Sequence, residues 1–414
     1  MNAKLQLIDV LDMTHVPVSA GPNVSEETSV VVSSGINPID VQRKLNQRSV
    51  QNHLMSIDWH TSSSAPFVVE FDPTTACNLA CPDCISGSLL NQGQIERQRI
   101  KSLTQEMVDA GVQAVILIGG GEPMMHADIG WVINTLGEAG IRIGITTNGL
   151  YLKKHLEVTS RYADWVRVSM DAGTSETFNR LRPSRTGKSM FNMAIDNMRA
   201  YAQVKRGRLG YSFMVFSEGS YGFQDFTTLA EKPEIRAIKT NVHEIYQAAV
   251  LAKSIGCDYF EVKPMYDVNH FSVMQRAEIA QEVYDQLDRC RTLNDGQFSV
   301  IEAVKLRETL SGGVGLEPKS YRRCAVAQLR TLVTPSGVYV CPYFRGVESK
   351  KIGDISQTSF KDMWHGDQRA KVMDRLDPSR DCRMHCIRHQ SNLTIEQQLE
   401  HGFPNPTDDY DLFI

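Results

Sequence analysis

Three cysteines in one short stretch carry the strongest chemical signal in this sequence. Cys77, Cys81 and Cys84 have the spacing CxxxCxxC, so three thiolates can converge on one metal centre. A [4Fe–4S] cluster normally takes four cysteine ligands, and the next cysteine along the chain is as distant as Cys257. The economical interpretation is a four-iron cluster that leaves one iron open for a small molecule.

The spacing alone leaves other interpretations open. Three cysteines can form part of a zinc site, although such sites usually combine CxxC pairs and four ligands. A two-cluster ferredoxin would show a tighter CxxCxxC run with a fourth cysteine before a proline. A disulfide with one free thiol suits secreted chains, and the sequence shows no signal peptide.

A second set of cysteines lies later in the chain and consists of Cys324, Cys341, Cys382 and Cys386. The surrounding pattern predicts a hairpin over residues 334–341, a strand over 352–355 and a short helix over 360–364. Four cysteines fit either a closed cluster or a tetrahedral zinc site. His385 and His389 lie nearby as alternative ligands.

The elements that must position these cysteines alternate between short apolar runs and longer helical patterns. Strands are predicted at 67–71, 114–118, 142–146, 165–169, 210–216 and 259–262. Helices are predicted between them, at 94–110, 127–139, 151–161, 174–204 and 241–255. Repeated strand–helix units predict an α/β fold with a parallel sheet and outer helices. Six units form a partial TIM-like barrel, (β/α)6, in which chemistry gathers at the C-terminal strand ends.

Polar or glycine-rich motifs follow the first four strands, namely Cys77–Cys84, Gly119-Gly-Gly-Glu-Pro123, Thr146-Thr-Asn-Gly149 and Ser169-Met-Asp-Ala172. Successive glycines let the backbone approach a ligand closely, and the carboxylate of Glu122 can bind an ammonium group. After the sixth strand, Lys263 and His270 are candidates for acid–base catalysis or for binding polar substrate atoms.

Together these motifs resemble the radical S-adenosylmethionine (SAM) superfamily over roughly residues 66–265. The resemblance implies that Cys77, Cys81 and Cys84 hold a [4Fe–4S] cluster whose open iron binds the amino and carboxylate groups of SAM. It implies a SAM pocket made of Gly120, Gly121, Glu122 and Pro123 at the amino group, Thr147 and Asn148 near the ribose, and Ser169, Asp171 and Arg182 at the carboxylate or ribose. One extra residue separates Ser169 from Arg182, which leaves Arg180 and Arg185 as alternatives.

The resemblance also implies a type of reaction. A reduced cluster of this kind transfers an electron into the sulfonium of SAM, and the resulting 5′-deoxyadenosyl radical removes hydrogen from an unactivated C–H bond. A flavodoxin- or ferredoxin-type protein is the expected electron donor. The cofactor performs the difficult step, while the protein positions and shields it.

The second cysteine set resembles the SPASM and twitch extensions found behind radical SAM barrels, which bind auxiliary [4Fe–4S] clusters. A full SPASM module has seven cysteines and two clusters, so four cysteines fit the one-cluster twitch form better. The resemblance implies that Cys324, Cys341, Cys382 and Cys386 hold an auxiliary cluster in a small C-terminal α+β iron–sulfur domain.

These motifs predict the organisation of the whole chain. The expected parts are an N-terminal extension over 1–65, the barrel over 66–270, linker helices over 271–317, the twitch/SPASM-like domain over 318–392 and a tail over 393–414. Within the extension, a helix is predicted from about residue 37 to residue 53. Residues 219–240 are predicted to be an insertion whose aromatic side chains, Tyr221, Phe223 and Phe226, cover the substrate.

Composition excludes several classes of function. The 44 basic and 48 acidic residues give a net charge of −4 without a basic block, so a nucleic-acid partner is not implied. No apolar run approaches the length of a membrane span, and we expect a cytoplasmic protein without a membrane partner. Nine cysteines in a reducing compartment favour metal or redox chemistry, with Cys257 and Cys290 expected to be ordinary buried thiols.

The sequence therefore predicts an enzyme that abstracts hydrogen from a polar small molecule, such as a sugar or an aminocyclitol. The auxiliary cluster would take up an electron from the substrate radical. No N-terminal peptide-binding winged-helix module is evident, which favours a small molecule over a peptide. A SPASM-type peptide maturase is the alternative, and a non-catalytic iron–sulfur or zinc protein is the alternative from another class.

Overall fold

The computed structural model describes residues 41–59, 65–216, 240–264, 277–303, 306–310, 319–356, 358–382 and 386–414. The aromatic residues predicted to cover the substrate, Tyr221, Phe223 and Phe226, lie outside these residues, as do His270 and His385. None of the helices in the described part of the chain is long and apolar enough to cross a membrane.

A sheet of ten strands runs through the described residues. Its strands in chain order are β1 (Val68–Phe71), β2 (Ala114–Leu117), β3 (Arg142–Thr147), β4 (Ala163–Ser169), β5 (Arg208–Val215), β6 (Tyr259–Pro264), β7 (Ser299–Glu302), β8 (Arg330–Thr334), β9 (Gly337–Tyr339) and β10 (Lys351–Gly353). The spatial order is β10-β9-β8-β1-β2-β3-β4-β5-β6-β7. Strands from β8 across to β7 pair in parallel, whereas β8, β9 and β10 pair antiparallel.

The helices flank this sheet in the order that the sequence predicts. They are α1 (Val41–Leu45), α2 (Arg48–Ser56), α3 (Arg97–Asp109), α4 (Ile129–Glu138), α5 (Leu156–Tyr162), α6 (Ser175–Leu181), α7 (Phe191–Ala202), α8 (Ile245–Ile255), α9 (Ala277–Arg291), α10 (Leu306–Leu310), α11 (Val326–Leu329), α12 (Phe360–His365), α13 (Asp367–Arg375), α14 (Pro378–Asp381) and α15 (His389–His401). The single helix predicted over 174–204 is two helices, because Pro183 disfavours helical geometry at Arg182 and cannot donate a helical hydrogen bond.

The six predicted strands are confirmed, each within two residues at either end. Their short apolar runs suit parallel strands that are covered on both faces; in β2, all four side chains are buried. The predicted hairpin, strand and helix around Cys341 are confirmed as β8 to β10 and α12.

Two strands were not expected where the structure places them. The region 271–317 contains β7 besides α9 and α10, so the expectation of helices alone was wrong there. In addition, β8 pairs in parallel with β1, on the side opposite β2, so the C-terminal cysteine region extends the barrel's own sheet. Residues Pro38–Ile414 form one compact unit, and the domain boundaries given above stay a prediction.

The two faces of the sheet belong to two apolar clusters. One face packs against the outer helices through residues such as Leu117, Val166 and Val262. The opposite face of β1 and β2 is covered by a second cluster that includes Leu54 of α2 and Phe413. Phe413 also lies edge-on against Trp165, near the start of β4, with 5.3 Å between ring centroids. Apolar side chains therefore fill the barrel interior near the N-terminal ends of its strands.

Candidate active site at the strand ends

The cysteine loop follows β1 and is held by the segments that follow β2 and α6. The N–H of Glu122 donates to the carbonyl of Ala76 at 2.8 Å, and the N–H of Ala80 donates to the carbonyl of Pro183 at 2.8 Å. Leu79 forms an isolated bridge with the same segment after α6. The loop that carries the three cysteines is thus fixed to two other motifs of the predicted site.

Glu122 joins the end of β2 to the end of β3. Its Oε1 accepts the hydroxyl of Thr147 at 2.6 Å and the N–H of Met124 at 3.1 Å, while its Oε2 accepts the N–H of Asn148 at 2.7 Å. Burial raises the pKa of Glu122, and these three donors offset part of the rise. Three protein donors use most of the about four acceptor positions of this carboxylate, which is 2% exposed, so Glu122 joins the strand ends, and its contact with an ammonium group stays a prediction.

Thr147 and Asn148 are engaged within the protein as well. The hydroxyl of Thr147 also accepts the N–H of Gly149 at 3.0 Å. The side chain of Asn148 donates to Oδ1 of Asn78 at 2.7 Å and accepts the N–H of Leu150 at 3.1 Å. Both residues are buried, so their side chains hold the loops together, and the ribose contact expected from them stays a prediction.

The glycines after β2 let neighbouring protein atoms approach more closely than a side chain would allow. A Cβ at Gly121 would collide with the backbone of Thr75 and Ala76, and one at Gly120 would lie 2.8 Å from Oδ2 of Asp72. Within the described residues, the carbonyls of Gly120 and Gly121 accept no hydrogen bond from the main chain. The buried Pro123 starts a short 3-10 turn directly afterwards. The backbone here can therefore accept hydrogen bonds from a ligand's ammonium group.

Asp171 and Arg182 form a buried ion pair beside the cysteine loop. Nε of Arg182 donates to Oδ2 of Asp171 at 2.7 Å, and its NH2 group contacts the same oxygen. Oδ1 of Asp171 accepts the N–H of Met214 at 2.7 Å, which holds Asp171 at a φ of 56°. The positive charge of Arg182 lowers the pKa values of Cys81 and Cys84, against the larger effect of burial.

The two alternative arginines, Arg180 and Arg185, have different surroundings. Arg180 points its NH2 group at the hydroxyl of Thr177, at 3.5 Å, and Arg185 is exposed. Ser169 is half-buried at the end of β4, in register with Ser212 of β5. Arg182 is therefore the arginine that the fold brings to the cysteines.

The donor set of the first site fits a four-iron cluster. Burial raises the pKa of the Cys77 thiol to about 11 and that of Cys81 to about 12, so these thiols lose their protons only to a bound metal. Among the described residues, no three His, Cys, Asp or Glu side chains are grouped closely enough to hold one metal ion. A cluster binds each thiolate to a different iron, whereas zinc needs all of its ligands on one ion.

The four later cysteines also lie together. Cys386 and Cys324 both raise the pKa of Cys341, after burial, and the same two raise that of Cys382. The N–H of Arg388 donates to Sγ of Cys386 at 3.4 Å. The fold thus brings cysteines from three segments near enough to influence one another, as an auxiliary cluster requires.

Three other residues named in the sequence analysis, His389, Cys257 and Cys290, make contacts typical of structural residues. His389 stacks on the ring of Tyr321, and its Nδ1 lies 3.2 Å from the Tyr321 hydroxyl. Cys257 and Cys290 are buried in the main apolar cluster, which confirms the expectation that they are ordinary core thiols.

An arginine from the auxiliary region reaches the first site. Arg345 NH1 lies 3.0 Å from Oδ2 of Asp72, the residue directly after β1, and 3.4 Å from the hydroxyl of Ser86. The same Asp72 oxygen accepts the N–H of Gly120 at 2.7 Å. Burial raises the pKa of Asp72 to about 6, while Arg345 and Gly120 oppose the rise.

Sequence analysis missed both members of this pair. Asp72 could have been found, because it is a polar residue at a strand end, like the motifs that were chosen. No local pattern marks Arg345, whose partner lies 273 positions earlier in the chain.

Two family models match the chain. The radical SAM superfamily matches residues 71–219, and the SPASM iron–sulfur cluster-binding domain matches residues 324–387. These ranges contain the three cysteines of the first site and the four of the second. The chain therefore contains a radical SAM domain and a SPASM iron–sulfur domain. It is an enzyme whose cofactors are a [4Fe–4S] cluster, SAM and an auxiliary iron–sulfur cluster.

Named relatives are similar over different lengths. Mycofactocin maturase MftC of Mycolicibacterium smegmatis is 23% identical over 316 residues, which cover 72% of this chain and 70% of that protein. MftC of Mycobacterium tuberculosis (strain CDC 1551 / Oshkosh) is 25% identical over 171 residues, and the match spans only 41% of this chain and 42% of that protein.

Solved structures share the fold. The crystal structure of Streptococcus suis SuiB bound to S-adenosylmethionine matches 89% of this chain and 82% of that chain, with a TM-score of 0.54 and 15% identity. The structure of SuiB bound to precursor peptide SuiA matches 84% of this chain and 74% of that chain, with a TM-score of 0.53 and 16% identity.

Proposed function

We propose that this enzyme is a peptide maturase of the SPASM type, which uses SAM to abstract hydrogen from a peptide. The observation that carries the proposal is the match to mycofactocin maturase over 72% of the chain. The shared fold with SuiB, solved with a precursor peptide, supports it. The comparisons therefore favour the peptide alternative over the small polar molecule that the sequence analysis preferred.

The arrangement at the strand ends supports a division of roles. Cys77, Cys81 and Cys84 hold the [4Fe–4S] cluster, which supplies the electron for SAM cleavage when it is bound. The carbonyls of Gly120 and Gly121 accept hydrogen bonds from the methionine ammonium.

The methionyl carboxylate has separate binding groups in this proposal. Arg182 and Ser169 bind it, because Arg182 is fixed beside the cysteine loop while its NH1 group makes no hydrogen bond within the described residues. Asp171 orients Arg182 for this contact. Glu122, Thr147 and Asn148 hold the loops of the site in place.

The remaining expectations complete the proposal. Cys324, Cys341, Cys382 and Cys386 hold the auxiliary cluster, which takes up an electron from the substrate radical. A flavodoxin- or ferredoxin-type protein reduces the first cluster, and the cytoplasm is the compartment in which both clusters are stable.

Anaerobic reconstitution tests the proposal. The reconstituted chain should hold about eight irons, from two four-iron clusters, and should form 5′-deoxyadenosine from SAM and dithionite. Short peptides encoded beside the gene are then added, and mass spectrometry follows the loss of hydrogen from each peptide. The Cys77→Ala/Cys81→Ala/Cys84→Ala variant is the matched control, because it should keep about four irons and leave every peptide unchanged. Turnover of a sugar or an aminocyclitol, with every peptide unchanged, would contradict a maturase.

A further inference from the structure

The strands β4, β5 and β6 carry polar residues on the face that the outer helices do not cover. Val166, Tyr211 and Phe260 belong to the helix-facing apolar cluster. Side chains alternate along a strand, so the next positions face the barrel interior. We call four of these residues the lumen layer: Arg167, Ser212, Glu261 and Lys263.

Aromatic rings close the barrel below the lumen layer. A Cβ at Gly144 would collide with the ring of Trp165, and a Cβ at Gly210 would collide with the ring of Tyr259. The two glycines therefore let these rings lie flat across the neighbouring strands. Together with Phe413, which packs edge-on against Trp165, the rings form an apolar floor, and the lumen layer lies between this floor and the C-terminal strand ends.

The polar groups of the lumen layer are incompletely paired. NH1 of Arg167 lies 3.2 Å from Oε2 of Glu261, and NH2 lies 3.4 Å from the hydroxyl of Thr146, both long for charge-assisted hydrogen bonds. Nε of Arg167 and the hydroxyl of Ser212 are buried without any partner. A buried donor left without a partner destabilises the folded protein, and such a donor is expected where a ligand supplies the missing acceptor.

Lys263 adds a charge that no described residue balances. It makes no ion pair and no hydrogen bond within the described residues, whereas Arg167 pairs with Glu261 and Arg182 pairs with Asp171. Burial, together with the charges of Arg167 and Arg182, lowers the pKa of Lys263 to about 8, although Glu261 and Asp171 oppose the shift. Lys263 keeps partial exposure to solvent. A lowered pKa together with partial exposure is typical of a group that lines an enclosed cavity and not of one on the outer surface.

We propose that Lys263 and Arg167 bind a carboxylate of the peptide substrate. This proposal rests on the proposed maturase function and adds that the substrate carries a carboxylate. An anion above Arg167 leaves its pair with Glu261 intact and balances the charge of Lys263. This assignment places Lys263 in substrate binding instead of proton transfer. The nearby Arg182 and SAM pocket then bring the reacting carbon of the substrate next to the radical source.

Two small probes of equal shape test the proposal on the reconstituted, SAM-loaded enzyme. Both have the α-carboxyl blocked as an amide: N-acetyl-L-glutamic acid α-amide carries a side-chain carboxylate, and N-acetyl-L-glutamine α-amide carries an amide in its place. Ligand-observed NMR should show at least tenfold tighter binding of the glutamate probe. Lys263→Met should remove this preference, because methionine replaces the ammonium with an uncharged chain, while Lys263→Arg should keep it, because arginine retains the positive charge. Lys188→Met, at an exposed lysine outside the barrel interior, is the control and should behave like the parent.

The other outcomes would overturn the proposal. Equal affinity for the two probes, or no binding of either, would show that the lumen layer has no carboxylate site. If Lys263→Met weakened the binding of SAM tenfold in equilibrium dialysis and kept the preference between probes, the carboxylate would be that of SAM itself. Because no peptide is turned over in this test, the carboxylate site can fail or succeed separately from the maturase function.

Discussion

Buried carboxylates join the strand ends around the cysteines. Besides Glu122, the side chain of Glu244 accepts the N–H of Gly173 at 2.7 Å and the hydroxyl of Thr177 at 2.6 Å, at the start of α6. These hydrogen bonds lower the pKa of Glu244 in spite of its burial. At the scale of single residues, much of the site therefore consists of groups that hold loops in place for the cofactor.

The substitution Glu122→Gln tests this role. Glutamine offers one acceptor oxygen where glutamate offers two, so at least one of the three buried donors loses its partner and the new amide group faces another donor. We expect the free energy of unfolding to fall by about 1–3 kcal/mol, measured as a shift in the urea midpoint. Glu138→Gln, at the exposed end of α4, is the control and should change the midpoint little. An unchanged midpoint for Glu122→Gln would contradict the positioning role.

Residue types predicted which segments meet, but not what each side chain does there. The cysteine, glycine, TTNG and SMDA motifs could be found because they follow strands, and the structure brings all four together. The contacts of Glu122 with Thr147 and Asn148 could not be found, because they depend on how the ends of β2 and β3 lie relative to each other. That Lys263 has no ion-pair partner among the described residues could not be predicted either, because this depends on the pairing of Glu261 with Arg167.

At the scale of secondary-structure elements, the strands β8 and β9 connect the auxiliary cysteines to the first site. The strand β8 pairs with β1 over four residues, and the N–H of Asp72 extends this pairing to the carbonyl of Val333 at 2.8 Å. The hairpin partner β9 leads through Cys341 to Arg345, which returns to Asp72. A change in the auxiliary region can therefore reach the loop of Gly120 through one ion pair.

The pair of Asp72 and Arg345 is expected to stabilise this connection. Removing one partner of a buried ion pair costs about 3–5 kcal/mol. Because the Arg345 side chain is 14% exposed, we expect the lower end for Arg345→Met, together with weaker SAM binding in equilibrium dialysis. Asp72→Asn keeps an acceptor for Gly120, so the double variant Asp72→Asn/Arg345→Met should recover part of the lost stability.

A double-mutant cycle distinguishes the interaction energy of the ion pair from destabilisation that either substitution causes by itself. Arg375→Met removes an exposed arginine at the end of α13 and should leave both stability and SAM binding close to those of the parent. If the double variant lost the sum of the two single losses, the two side chains would act independently and the proposed connection would be absent.

The elements were easier to predict from the sequence than their partners. Apolar runs of four to eight residues with helical patterns between them indicated β1 to β6 correctly, because parallel strands buried on both faces require such runs. The pairing of β8 with β1 has no local signal, since the two strands lie 259 or more positions apart in the chain. The short strand β7, with its exposed and half-buried residues, lacks the apolar pattern that identified the others.

At the scale of the whole molecule, both cysteine sets belong to one sheet. Cys77 follows β1, Cys341 follows β9, and β8 alone lies between these strands. Each set is nevertheless held by its own contacts: the first by the motifs after β2 and α6, and the second by segments next to α11, α14 and α15. The fold thus joins the two sites mechanically while each keeps a separate set of ligands.

Removing the auxiliary ligands should therefore spare the first cluster. In the variant with Cys324, Cys341, Cys382 and Cys386 changed to alanine, we expect iron to fall from about eight to about four per chain and 5′-deoxyadenosine to form from SAM and dithionite without substrate. The melting temperature should fall, because the binding energy of a structural metal site contributes to folding.

Peptide turnover should be lost, since the substrate radical no longer has its electron acceptor. If four irons remained but 5′-deoxyadenosine did not form, the auxiliary cluster would be needed to reduce the first one, and the independence of the two sites would be wrong.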